Sequence, residues 1–160
     1  MSHTLMYENP DLVNDSTARY PLGTLRDWID PTYGPQKLMY VQFVDAVTYV
    51  AYAPLGWSAT QGDAECAVTG DVSEDNGCAA GVARNLVMTQ NYYGWMTVQG
   101  VTPLKMNTDD DAADGDVAVI SGDMTANTGS DPGVVTALGI IVTAVVAATD
   151  IAVVRLKGLL

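Results

Sequence analysis

Between residues 92 and 101 the chain reads Tyr-Tyr-Gly-Trp-Met-Thr-Val-Gln-Gly-Val, aromatic and β-branched residues bracketed by glycines. From Trp95 the alternation sets Trp95, Thr97 and Gln99 on one face and Met96, Val98 and Val101 near the other, a period of two that predicts a strand. Gly94 marks a tight entry turn and Gly100 a bulge or turn. The same pattern recurs over residues 38–44 and 47–52, with Asp45-Ala46 as a hairpin or a break. Short strands are expected at 66–69, 103–106 and 117–120, and a last one at 151–156 after a Thr149-Asp150 turn.

The longest apolar run covers residues 133–149. It is shorter than a usual membrane span, and its glycines and β-branched residues predict two buried strands, 134–138 and 140–144. No segment carries a convincing amphipathic helical period, and no repeat has a fixed length. Eight to ten short strands separated by turn signals predict an all-β fold, a small β-barrel or sandwich.

Residues 1–36 differ from the rest of the chain. Pro10, Pro21, Pro31 and Pro35, with Gly23 and Gly34, oppose a long helix or a central strand, since each proline removes a donor and restricts its predecessor. Thr24 is placed to cap a single helical turn over residues 25–29. The expected organisation is an extended N-terminal arm, residues 1–36, and a β-rich domain, residues 37–160. Tyr7, Tyr20, Trp28 and Tyr33 give the arm large apolar surface, so it should dock rather than stay disordered. These four, with Arg19 and Arg26 to pair acidic partners, are the expected contact residues. The alternative is that the aromatics cover the same subunit's core.

Charge narrows the choice of partners. With 19 acidic residues against 7 Lys and Arg, the net charge is -12, so nucleic acid and anionic membrane surfaces are both expected to repel the chain. The apolar residues are rich in Ala and Val with one Phe, which suits a thin core stabilised by neighbours. The first residues lack a basic segment followed by an apolar run, so the chain is expected to start in the cytoplasm. There, Cys66 and Cys78 should be reduced and separate.

Reactive chemistry is excluded mostly for want of parts. His3, the single histidine, lies at the N-terminus, so no nucleophile–histidine pair and no zinc site can be assembled on the domain. Neither phosphate-loop nor dinucleotide-loop spacing is present. Residues 107–116 carry five aspartates. Against the EF-hand calcium template, however, Ala112 and Ser121 occupy ligand positions, and a solvated loop is the expectation. A glycosidase-like carboxylate pair stays open in principle, but acids in hydrated loops make poor proton donors. The chain is therefore expected to be no enzyme and to need no cofactor and no metal.

One resemblance ties the second half together. Gly81-Val82-Ala83, then the run from Tyr93 to Gly100, then Gly115-Asp116, the run from Gly133 to Gly139, and the closing strand at 151–156 stand in an order similar to that of capsid decoration, or cement, proteins of tailed bacteriophages. It covers roughly half the chain and rests on the order of short motifs. The resemblance implies a virion protein on the outer capsid surface, made in the host cytoplasm, trimeric, bridging major capsid proteins and stabilising the head. The N-terminal part matches no motif of that family. Two other readings compete: a carbohydrate-binding β module with Trp57, Tyr92, Tyr93 and Trp95 as stacking faces, and another virion part such as a tail or head-fibre base.

Overall fold

The computed structural model describes residues 9–44, 49–58, 65–70, 78–84, 87–107, 113–120, 126–129, 137–146, 150–156 and 158. A 3-10 turn, Pro10–Leu12, opens the described chain, with the Asn9 side chain accepting from the Asp11 amide. The first six strands are β1 (Leu25–Asp30), β2 (Gly34–Phe43), β3 (Tyr49–Val50), β4 (Pro54–Trp57), β5 (Ala67–Thr69) and β6 (Ala79–Ala83). Then come β7 (Val87–Met88), β8 (Tyr93–Lys105), β9 (Val117–Ile120), β10 (Ala126–Gly129), β11 (Ala137–Val146) and β12 (Ile151–Leu156). The fold is all-β, as expected.

Strand pairing closes twice, with β8 common to both rings. β2 runs parallel to β5, β5 pairs with β4, β4 with β6, β6 with β8, and β8 returns to β2 from Gln36↔Gly100 to Gln42↔Tyr93. Five strands thus form a small barrel. Beyond Gly100, β8 leaves β2 and pairs with β12, which continues through β11 and β9 to β10. A parallel bridge between Met106 and Ala126 brings β10 back to the end of β8. A short β3–β7 ladder stands apart from both rings.

Each ring holds its own core. Met39, Val41, Phe43, Leu55, Val68, Met96 and Val98 fill the first, while Leu104, Met106, Leu138, Ile141, Val154 and Leu156 fill the second. Ala79 and Val82 of β6 pack into the second cluster and Ala80 and Ala83 into the first, so that strand is small and apolar because both its faces are buried. Apolar burial is the main favourable term in either core.

Three glycines are required by close approach, the first being Gly81 of β6, where a Cβ would run into the Thr97 carbonyl of β8. Gly100 has φ +106°, and a Cβ there would lie 2.6 Å from the Pro35 carbonyl, at the point where β8 passes from one ring to the other. Gly139 sits against the Arg155 carbonyl on β12, leaving no room for a side chain.

Several expectations need correction. Residues 25–29 form no helical turn: they belong to β1, paired from Leu25↔Met39 to Asp30↔Gly34. The turn that joins the two strands consists of residues 31–33 and then Gly34 at φ +80°, so Pro31 and Pro35 flank a hairpin tip and interrupt neither strand. The expected boundary after residue 36 falls inside β2. Residues 103–106 do not start a separate strand but complete the 13-residue β8 and its bridge. Gly139, placed between two expected strands, lies within the single strand β11, which shows register shifts against both neighbours. Residues 45–48, 71–77, 108–112 and 131–136, on which further turn and loop expectations fall, are outside the described residues, as are His3 and Tyr7.

Candidate functional site

The outer face of the β2–β8 pair carries a close group of aromatic and charged side chains. Alternation on β2 sends Leu38 and Tyr40 outward, and alternation on β8 sends Trp95 the same way because Tyr40↔Trp95 is in register. Residues 9–24 and β1 cover this face: Val13, Leu38, Tyr40 and Trp95 are buried together, with Tyr20, Leu22, Trp28 and Tyr93 packed around them. Tyr20 meets Tyr40 edge-on at 5.2 Å and lies 5.5 Å from Trp95, and Tyr93 stacks on Tyr40 at 6.3 Å. The Arg26 guanidinium stands 5.4 Å from the Trp28 ring and 5.8 Å from Trp95, within cation–π range of both.

Polar contacts fix the covering segment in place. Asp15 exchanges backbone hydrogen bonds with Tyr93 and accepts the Tyr40 hydroxyl at 3.1 Å. It also pairs with Arg19 at 2.6 Å, and the Arg19 amide donates to the Tyr40 hydroxyl oxygen. Burial pushes the Tyr40 phenol up to about 12, and the Asp15 carboxylate that accepts its proton acts in the same direction.

A second cluster lies where the hairpin, the 3-10 turn and β6 meet. Arg84 is only 3% exposed and its guanidinium serves three acceptors: Asp11 Oδ1 at 2.7 Å, Gln36 Oε1 at 2.8 Å and Asp30 Oδ2 at 2.9 Å. Gln36 in turn donates to the Val101 carbonyl, and Asp30 accepts the Thr32 and Tyr33 amides that close the hairpin tip. Burial alone would raise the Asp30 carboxyl, but the Tyr33 amide, the Arg84 guanidinium and the Thr32 amide outweigh it and hold the carboxyl below the usual aspartate value. Asp30 is therefore ionised at neutral pH and has no proton to donate to a substrate. Its neighbour Tyr52 is pushed upward by burial, then by the charge on Asp11.

These directions set the pH dependence. A lowered Asp30 contributes stability that is complete above the ordinary aspartate value of 3.8 and is lost as pH falls through the lower folded value. A raised Tyr40 contributes stability present below 10.0 and lost as pH rises toward about 12. The expected urea midpoint is flat near neutrality and falls at both extremes, and Asp30→Asn should flatten the acid limb.

The expected contact residues fall in distinct places. Tyr20 and Trp28 pack on this subunit's own core, Arg26 lies over two tryptophans, Arg19 pairs with Asp15, and Tyr33 closes the hairpin tip. Covering the same subunit's core, the alternative considered for these aromatics, is what Tyr20 and Trp28 do, while each of the five keeps part of its surface open. Nothing in the sequence singles out Arg84, because a lone arginine after Gly-Val-Ala carries no motif. The sugar-stacking set is not a platform: Trp95 is buried, Tyr93 stacks on Tyr40 and Trp57 packs on the first core. Cys66 and Cys78 are separate free thiols, and burial raises the Cys66 thiol. In the aspartate-rich loop, the Asp116 carboxylate accepts the Ala113 amide. Among the described residues no group of histidine, cysteine and carboxylate side chains is arranged to hold a metal, and no helix is long and apolar enough to cross a membrane.

No protein-family model matches the chain, and no curated protein matches it. Among solved structures it is similar to the N base of the head fiber protein gp8.5 of bacteriophage phi29, with a TM-score of 0.54 and 16% sequence identity. The likeness covers 75% of this chain and 94% of that one. At this identity the two share a fold.

Proposed function

We propose that the chain is a structural part of a tailed-phage virion, sited on the outside of the head and working by adhesion rather than by chemistry. The observation that carries this reading is the likeness to a head-fibre base over nearly all of that chain. It favours a fibre base, a subunit that seats an appendage on the head, over the cement role implied by the sequence motifs. Both roles share the same physics. A net charge of -12 suits the outer surface of a shell and opposes contact with packaged DNA. A homotrimer seated on major capsid protein would repeat each weak contact, and the linked contacts reinforce one another through effective concentration.

On this reading the chain has no catalytic step, and neither nucleic acid nor membrane is a partner. Arg19, Tyr20, Arg26, Trp28 and Tyr33 offer capsid contacts through the surface they leave open, with Tyr7 as a further contact residue. The test is co-sedimentation of purified protein with phage heads that lack it, with binding measured up to saturation. Saturable binding that raises the melting temperature of the heads supports the proposal; absence of binding to heads at any stage of maturation refutes it.

A further inference from the structure

The β1–β2 hairpin carries an outward face that no described residue covers. On β1 the side chains alternate, Arg26 and Trp28 turning toward the aromatic cluster and Asp30 toward Arg84, while Leu25, Asp27 and Ile29 turn the other way. Leu25 is 46% exposed and Ile29 78% exposed. Leu12, 72% exposed, belongs to the same end of the molecule, because Asp11 beside it and Asp30 beside Ile29 hold the same guanidinium. Along this face runs an open groove of about 440 Å³ whose lining includes Asp27, Ile29, Pro35, Lys37 and Gln99. β1 ends the strand order of its sheet and pairs only with β2 among the described strands.

Charge identifies the occupant. Residues 9–44 contain four acids, Asp11, Asp15, Asp27 and Asp30, and three bases, Arg19, Arg26 and Lys37, with Arg84 set among them as a fourth. The other 15 of the 19 acids face the other 3 of the 7 bases, so the rest of the chain carries the whole net charge of -12. Two copies of so acidic a chain repel through most of their surface. They meet at least cost through a segment that is charge-balanced and apolar. The face also carries both signs, since Asp27 and Lys37 lie directly across from each other on the hairpin, so Asp27 of one copy can meet Lys37 of the next in a head-to-tail contact that closes into a ring of three.

We infer that the Leu25, Asp27, Ile29 and Lys37 face of the hairpin is where one copy of this chain meets another. The inference deepens the reading of the chain as an assembling virion part and rests on it for the purpose of the assembly, but its test does not. Size-exclusion chromatography with light scattering on the full chain should give an oligomer mass. Ile29→Asp, at a position too exposed to matter to the fold, should weaken association by about tenfold or more while leaving the far-ultraviolet circular dichroism unchanged. Asp27→Lys and Lys37→Asp should each weaken association, and the double exchange should restore it. A monomer mass for the native chain at every concentration overturns the inference, as does an oligomer indifferent to all of these changes. A native monomer that still binds heads removes this interface and spares the proposed function; an oligomer that fails to bind heads does the reverse.

Discussion

Replacing Arg84 with alanine is expected to cost about 3–5 kcal/mol of stability, because removing one partner of a buried ion pair strands the other charge. Asp30 would keep its carboxylate in a site only 8% exposed, with two amides but no cation. Gln36 would lose its donor as well. Arg84→Lys should recover little, since an ammonium is a point charge on a flexible stem and cannot reach three acceptors as a planar fork does. Adding Asp30→Asn to Arg84→Ala should return part of the loss by removing the stranded charge, which makes the pair a double-mutant cycle. Urea denaturation at neutral pH measures each of these proteins. A loss below about 1 kcal/mol for Arg84→Ala would place it with exposed surface pairs and contradict the role assigned to the cluster.

Trp95→Ala should cost a similar amount, about 3–5 kcal/mol, through lost burial and the cavity left behind. Trp95 is 1% exposed and joins Tyr20, Tyr40 and Arg26, so its removal loosens residues 9–24 and β1 from the barrel together. Trp95→Phe should cost much less, because the indole Nε1 has no hydrogen-bond partner among the described residues and the smaller ring keeps most of the aromatic contact. Chemical denaturation monitored by circular dichroism gives both values. The pair also separates core from binding platform: a folded, fully stable Trp95→Ala protein with altered ligand binding would revive the sugar-stacking reading.

Much of the fold is readable from local pattern. The alternation around Trp95 separates Trp95 from Met96 and Val98, as the structure does, because side-chain direction in a strand follows parity; which face meets the barrel core and which the covering segment is not legible from it. The closing strand is also legible at its full extent, Ile151–Leu156. Prolines mislead where their position in a hairpin matters. Pro31 and Pro35 signal interruption in a linear reading, yet Pro31 stands in the turn and Pro35 is the second residue of β2, paired with Ile29 at the hairpin end of the ladder. Gly100 and Gly139 read as breaks for a related reason: a glycine that permits close strand approach looks, in sequence, like one that turns the chain. The short apolar strand β6 shows no alternation because two cores bury its two faces.

The polar clusters are less accessible. Arg84 meets Asp11, Asp30 and Gln36 from 73, 54 and 48 residues away, and no local spacing encodes such a meeting. The aromatics of residues 1–36 stand out for their size, but size does not say whether a ring covers its own subunit or another. Pairing of Tyr20 with Tyr40 and Trp95 depends on the register between β2 and β8, which becomes visible only once the barrel closes.

Immunogold electron microscopy of intact virions, with antibody raised against this chain, tests the central claim most directly. The account predicts gold on the outside of the head, repeated over its surface or at the roots of fibres. Label confined to the tail, or virions that carry none while the protein remains in the lysate supernatant, would contradict it.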